Sequence, residues 1–485
     1  MQTTGKIRST IASLAWLLIG ILAIDAPPLR GEGPLRTIPH VKPRLIVLTD
    51  LSNEPDDEES LVRLLVYSDE FEIEGLVATT SNWLKQSPRE DLLRRDLAAY
   101  AQVRPNLLKH SPGFPTAEQL LSVTCTGQTE YGLASIGPGQ DSGGSRRIIE
   151  AVDRADDRPL WISVWGGPNT LAQALATVRA SRPPAEVDKF VAKLRVYAIS
   201  DQDDSGPWLR REFPGLYYIV SPSSPHSYEE YYRATWSGIS GGETLSDAPG
   251  YHSAMVHNPW LEANVIIGHG PLGALYPHRL YLMEGDTPSF LGLIDRGLGW
   301  DASPAAGGWG GRYALFQPAG ETRPIWTDLA ATRDRVEVEP GRLEMSNQAT
   351  IWRWREHFQN DFAARMDWCV TDDFKKANHN PHPVLNGDRS TGVLTIAAKA
   401  GTTVTLSADG TDAGDDGQHV KITWWIYREA GTLEGATLAT TDGLKTEVAL
   451  PVTQKPGTLH VILQAEDDGE PRLFAYRRIV VEVRP

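Results

Sequence analysis

From Arg44 onward the chain repeats one unit, a short apolar run followed by a stretch of helical periodicity, and this alternation restricts the fold more than any other feature. "RLIVLTD" (Arg44 to Asp50) leads into "EESLVRLLVYS" (Glu58 to Ser68), where Leu61, Leu64 and Leu65 share one helical face. "IEGLVATTS" (Ile73 to Ser81) precedes "REDLLRRDLAAYAQV" (Arg89 to Val103), and "PLWISVWGG" (Pro159 to Gly167) precedes "NTLAQALATVRA" (Asn169 to Ala180). "LRVYAIS" (Leu194 to Ser200) and "GLYYIVS" (Gly215 to Ser221) continue the series. Such alternation predicts βαβ units around a Rossmann-like, mostly parallel sheet flanked by helices, an α/β fold. Ligands of these sheets sit beyond the carboxyl ends of the strands, so the polar residues just after each apolar run are the first candidates for function.

After about residue 378 the pattern changes. "KKANHNPHPVLNGD" (Lys375 to Asp388) is polar and turn-rich, as a linker is. Beyond it come short alternating runs at Thr403 to Ala408, Val420 to Tyr427, Thr446 to Leu450, Leu459 to Asp467 and Arg477 to Val483, separated by turn residues. That spacing predicts an all-β, immunoglobulin-like sandwich over residues 379–485, after an α/β domain over 41–378.

Ahead of both, Lys6 and Arg8 precede the apolar run Ile11 to Ile24, and Ala26-Pro27-Pro28 follow. This order predicts a signal peptide over residues 1–26 and a secreted or periplasmic protein; an uncleaved anchor is the other reading. A formal net charge of -15 excludes nucleic acid polymers as partners, because phosphate-backbone binding needs clustered Lys and Arg. A small nucleoside or a glycan is not excluded. Cys125 and Cys369 are the two cysteines; export permits a bridge, and two separate thiols fit the sequence equally.

The turn between the first apolar run and its helix, "DLSNEPDDEES", carries Asp50, Glu54, Asp56, Asp57, Glu58 and Glu59. Crowded carboxylates raise one another's pKa unless a cation neutralises them, and hard cations with oxygen ligands, calcium above all, need such a cluster. Acidic residues also suit a helix N-terminus beginning at Pro55, and that accounts for Glu58 and Glu59. Asp50 ends a strand, which is the functional edge of a parallel sheet, and Asp56 and Asp57 lie beside it.

The stretch "TDLSNEPDDEESLVRLLVYSDEFEIEGLVATTSNW" is similar to the amino-terminal calcium-binding signature of nucleoside hydrolases, and "WGGPNTLAQAL" (Trp165 to Leu175) resembles the segment that lends that family's metal a backbone carbonyl. With "ISDQDDSGPWLRREFP" (Ile199 to Pro214), "MEGDTPSFLGLI" (Met283 to Ile294) and "GGWGGRY" (Gly307 to Tyr313), the chain from Arg44 to Pro485 resembles secreted nucleoside-hydrolase-like proteins, named cellulose-binding, that end in a sandwich domain. The resemblance implies a calcium (Ca2+) site formed by Asp50, Asp57 and Asp286. Asp56 would touch the sugar hydroxyls and a metal-bound water as the catalytic base, and Asn82 and Asn169 would hold substrate. Two departures stand out. The loop from Asp50 to Asp56 is two residues longer than in ordinary nucleoside hydrolases, so that Glu54 is an alternative to Asp50. Glu284-Gly285-Asp286 lacks the His that precedes the metal Asp in many of them.

Other candidates carry two readings each. Asp203 and Asp204, after another apolar run, either face the same pocket or cap the helix at Trp208. Trp309, Arg312 and Tyr313 among glycines either present an aromatic face to a sugar or fold a tight loop. His269 and His278 are either the missing leaving-group acid or structural. The aromatics of Tyr217 to Tyr232 suit packing, and the aspartates of the terminal domain suit turns or calcium. Of Trp424 and Trp425, adjacent on a predicted strand, one faces the core and the other outward, as a possible carbohydrate platform.

Two functions remain. One is an exported, calcium-dependent hydrolase of a glycosyl bond, most simply an N-glycosyl, ribonucleoside-like one, acting on a small-molecule nucleoside or glycan. The other is a non-catalytic binder of cellulose or another plant polysaccharide. Oligomeric state is not legible.

Overall fold

A computed structural model describes residues 35–485 except 53, 223–230, 232, 241–250 and 329–331; the predicted signal peptide and part of the aromatic stretch Tyr217 to Tyr232 lie outside the described residues. The strands are β1 (Arg36–Ile38), β2 (Arg44–Thr49), β3 (Glu72–Ala78), β4 (Thr124–Thr126), β5 (Leu160–Val164), β6 (Leu194–Ala198), β7 (Tyr217–Val220), β8 (Ala314–Phe316), β9 (Ile325–Thr327), β10 (Asp334–Glu339) and β11 (Arg342–Ser346). They continue as β12 (Val393–Lys399), β13 (Thr403–Ser407), β14 (Val420–Ile426), β15 (Thr437–Leu438), β16 (Lys445–Ala449), β17 (Gly457–Asp467) and β18 (Phe474–Arg484).

The first body is an eight-stranded sheet in the order β4-β3-β2-β5-β6-β7-β9-β8, parallel except for the edge strand β8. Every residue of β2 and β5 is buried, as expected of central parallel strands covered on both faces. The helices are α1 (Pro55–Val66), α2 (Glu90–His110), α3 (Ala117–Ser122), α4 (Gly143–Asp153), α5 (Asn169–Ser181), α6 (Pro184–Ala192) and α7 (Ser205–Glu212). One apolar cluster joins α1, α2 and the helix Arg355–Trp368 on one face of the sheet; a second joins α4, α5, α6 and α7 on the other. Chain order runs outward from β2 through β3 to β4, then resumes on its other side at β5. The carboxyl ends of β2 and β5 are therefore a topological switch point, where such sheets open a crevice.

The second body is a two-sheet sandwich with sheets β1-β12-β18-β17-β14 and β13-β16-β15 around their own core. β1 comes from the amino-terminal side of the α/β domain and pairs with β12 antiparallel, Thr37 opposite Leu394, so the chain ties the two bodies together at both ends. The outer face of the larger sheet packs on the α/β domain. There Asp334, fully buried, accepts hydrogen bonds from Arg312 Nε (2.8 Å), Arg353 (2.7 Å) and the Tyr427 hydroxyl (2.5 Å). Cys125 and Cys369 are free thiols, which decides the disulfide question.

Candidate functional site

At the switch point the chain leaves β2 at Asp50, turns through Ser52 at a left-handed φ of 110°, and enters α1 with Glu54 at its N-cap and Pro55 in its first turn. Proline is preorganised for that position, and no side chain caps the helix. Asp56 and Asp57 fall in the first turn. Asp57 is fixed by a hydrogen bond from the Thr49 hydroxyl to its Oδ1. Asp286 arrives from far along the chain, and oxygens of Asp56, Asp57 and Asp286 lie within 4.8 Å of one another. Asp50 (5 % exposed) and Asp286 (2 %) each bury a carboxylate oxygen that has no hydrogen-bond partner, Oδ1 and Oδ2 respectively.

The electrostatics follow from burial and repulsion. Burial, then the charges of its neighbours, pushes Asp56 up to about 8 and Glu54 up to about 7. Burial raises Asp50 to about 6, and burial with mutual repulsion holds Asp57 and Asp286 well above the carboxylate range. Among the described residues, no Lys, Arg or His forms an ion pair with any of the five. Orphaned buried oxygens on an unneutralised all-oxygen donor set fit a hard divalent cation such as Ca2+. Asp56, Asp57 and Asp286 would hold it, with the unpartnered Oδ1 of Asp50 beside them, a set that differs from the Asp50, Asp57 and Asp286 expected from the sequence.

The distal loop is built to deliver Asp286. Glu284 sits at a left-handed φ of 53°, fully buried, its amide donating to Glu59 Oε2 (2.6 Å) and its carboxylate accepting from Arg63, Tyr276 (2.8 Å) and Thr287 (2.8 Å). Gly285 follows against Asp56: a β-carbon there would stand 2.6 Å from Asp56 Oδ2. A side chain at 285 would thus displace the Asp56 carboxylate from its present place. Likewise, a β-carbon on Gly166, after β5, would stand 2.4 Å from Asp50 Oδ1.

The remaining predicted residues divide. Asn82 is half-buried past the end of β3, next to Trp83, which lines a small pocket with Glu54, Asp56, Tyr231, Tyr281 and Leu282. Asn169 is fully buried; its amide donates to Thr80 Oγ1 (2.9 Å) and the Glu130 carbonyl (2.9 Å), which bind loops together, and only its Oδ1 lacks a partner. Asp203, one residue before the N-cap of α7, accepts from the Ser205 amide (2.7 Å), while its buried Oδ2 is unpartnered beside Gly167 and its carboxyl is raised by burial to about 7. Asp204 is exposed and accepts from the Leu133 amide (2.8 Å), which fixes a turn.

Trp309 is a correction: it is 2 % exposed, edge-on to Phe358 and beneath Arg296, so it has no face for a sugar. Arg312 and Tyr313 also turn inward, and the tight-loop reading of that segment holds. His269 pairs with Asp367 (3.2 Å) and His278 with Glu262 (2.8 Å), which makes both structural. The terminal-domain aspartates cap turns or pair with histidines and lysine, as at Asp388, Asp409 and Asp468.

Sequence reasoning missed Tyr231 and Trp83. Tyr231 is 6 % exposed, packs edge-on against Trp236 (4.9 Å), and has its phenol held protonated by burial and by the charges of Asp56 and Asp286. It lies in an aromatic-rich stretch whose composition gave no hint which ring turns inward. Glu59 was read as helix-end charge alone, and its partner lies 225 positions away.

A mostly parallel sheet with an acidic cluster at its switch point, joined to a β-sandwich, defines a nucleoside-hydrolase-like protein with an accessory β domain. Residues 44–313 match the nucleoside hydrolase-like domain of cellulose-binding Sde182, and residues 403–483 match the C-terminal domain of cellulose-binding protein Sde0182. The chain belongs to this family. It is similar to a nucleoside hydrolase-related hypothetical protein from Saccharophagus degradans associated with carbohydrate metabolism, at 36% identity and a TM-score of 0.77 over 92% of this chain and 100% of that one. The type III effector XopQ, complexed with adenosine diphosphate ribose, aligns at 12% identity and a TM-score of 0.30 over 69% of this chain and 96% of its own, too distant to carry an argument. No curated protein matches the sequence significantly.

Proposed function

We propose that the chain is an exported, calcium-dependent hydrolase of a glycosyl bond, most simply an N-glycosyl one, with the sandwich as an accessory domain. The observation that carries this reading is the set of five carboxylates at the switch point, unneutralised by any cation of the described chain and with two orphaned buried oxygens. When bound there, Ca2+ supplies a Lewis acid that fixes a vicinal diol and acidifies a water. Asp56, at the rim of the pocket, accepts the proton of the attacking water. Glu54 and Asp56 stabilise the positive charge that develops on an oxocarbenium-like sugar. Tyr231, protonated and in the same pocket, hydrogen-bonds the leaving atom, and Trp83 provides an apolar wall.

Gly285 favours a second reading. Because Gly285 stands before Asp286, the departing group lacks an acid at that position, and a carbohydrate-binding protein that retains the metal fits the same geometry. Product release separates the two. Incubation with a panel of ribonucleosides and oligosaccharides, with Ca2+ and with chelator, should give free base or sugar only with Ca2+, and Asp56→Asn should abolish it. Absence of any product across the panel would assign the site to binding.

A further inference from the structure

The contact between the two domains does not close along its whole length. Toward the start of β14, from Trp425 back to Lys421, a groove of about 380 Å3 opens between the outer face of the sandwich sheet and the segment Arg353–His357. Its size is that of a small-molecule site, roughly 300–1,000 Å3. It shares no lining residue with the pocket beside Asp56.

Strand alternation builds its wall. Trp424 faces the sandwich core, fully buried, with its indole N–H on the Gly443 carbonyl (2.8 Å); Trp425, its neighbour, therefore faces out and is half-buried in the groove. Pairing of β14 with β17 sets Lys421 opposite Glu466 and Thr423 opposite Gln464. One aromatic ring thus stands beside a row of planar polar groups. The ring is fixed by Trp354 (5.6 Å), Tyr427 (5.4 Å) and the Arg353 guanidinium (4.9 Å).

The polar row is preorganised as well. Glu466 accepts from Lys421 (3.0 Å) and Arg472 (2.9 Å), and Arg472 reaches across the groove to Glu356 of the α/β domain (3.2 Å). Arg353 is balanced by Asp334 (2.7 Å). With every charge compensated, the groove offers no net field to a phosphate or an acidic peptide, and its polar lining suits no apolar ligand. Its chemistry matches a neutral polyhydroxyl ring, whose apolar face rests on an indole while its hydroxyls bond in-plane carboxylate, amide and guanidinium groups.

We infer that this interdomain groove is a saccharide-binding site for a neutral oligosaccharide, with Trp425 as platform and Gln464, Glu466 and Arg472 as hydroxyl partners. The site is independent of whether the acidic cluster hydrolyses anything.

The test uses the full chain and calorimetric titration with cellohexaose, with maltohexaose and xylohexaose as further arms. Binding of at least one hexaose is expected, weakened at least about tenfold by Trp425→Ala and by Gln464→Ala. Trp425→Phe, which retains a ring, should bind more tightly than Trp425→Ala. Titrations run in chelator, which keeps the acidic cluster free of metal, should give the same groove affinity, so that the two sites are read separately. Because Trp425 also packs on the α/β domain, melting curves accompany each variant, and Gln464→Ala, at a half-buried residue of the groove wall, decides the matter if Trp425→Ala unfolds. Failure of all three sugars to bind, or a folded Gln464→Ala that binds as tightly as wild type, would overturn the inference.

Discussion

Gly285 and Asp56 are in direct apposition, with 2.6 Å between Asp56 Oδ2 and the place where a β-carbon on Gly285 would stand. A side chain at 285 would therefore require the Asp56 carboxylate to shift. Gly285→Ala should push Asp56 and Asp286 apart and weaken Ca2+ binding about 10- to 100-fold, as loss of a supporting contact at a metal site does. Calorimetric titration with CaCl2 checks it; an unchanged affinity would mean that the two carboxylates do not share an ion.

If the cluster binds Ca2+ as proposed, the raised carboxyl groups make that binding pH-dependent. Asp50, Glu54 and Asp56, at about 6, 7 and 8 in the fold, bind more protons than in the unfolded chain between roughly pH 4 and pH 8. In chelator, stability therefore falls as pH rises through that window, and Ca2+ restores it by replacing the protons. The Tm gain from Ca2+ should be small at pH 5 and large at pH 8. Equal gains at both would contradict a shared site.

Two histidines at the domain contact work in the opposite sense. His460, buried, accepts from the Arg478 guanidinium at Nδ1 (3.0 Å), and His357 stacks on Phe474 (3.8 Å); burial first, and neighbouring cations second, depress both to about 3. A folded pKa below the unfolded value near 6.5 means stability complete above pH 6.5 and lost as pH falls toward 3. Each should contribute a loss of about 1–3 kcal/mol by pH 4. Denaturant melts at pH 7 and pH 4 measure it, and His460→Gln should flatten the difference.

Asp334 is the charged centre of the same contact. Removing it leaves Arg312 and Arg353 without their carboxylate in a buried setting, so Asp334→Ala should cost about 3–5 kcal/mol. Urea titration reads that loss directly.

Much of this was legible from local sequence, for identifiable reasons. The runs at Arg44, Leu194 and Val420 became β2, β6 and β14 within a residue or two, because buried parallel strands and alternating sandwich strands leave strong periodic signals. α2 continues past Val103 and through Pro105 to His110, since buried Leu107 and His110 anchor its last turns against the penalty of an internal proline. β1 and β12 were missed: β1 has only three residues and no periodicity, and its pairing with β12 across more than 350 positions is visible only in three dimensions. At the site, Asp50, Asp56 and Asp57 stood out because like charge at a strand end needs an explanation. Trp309 misled, because glycine-rich composition does not tell which way a ring turns. Tyr231 and Glu59 depend on partners hundreds of positions away or on a neighbour's charge, and no local pattern encodes either.

The central claim is that the switch-point carboxylates hold one divalent cation. Calorimetric titration of the full chain with CaCl2 at pH 7.5, for wild type and Asp57→Asn, tests it most directly. One Ca2+ per chain, with proton release and with binding lost or weakened at least about 100-fold in the variant, is the predicted result. No heat of binding in the wild type, or an identical isotherm for Asp57→Asn, would contradict it and reduce the acidic turn to a helix end.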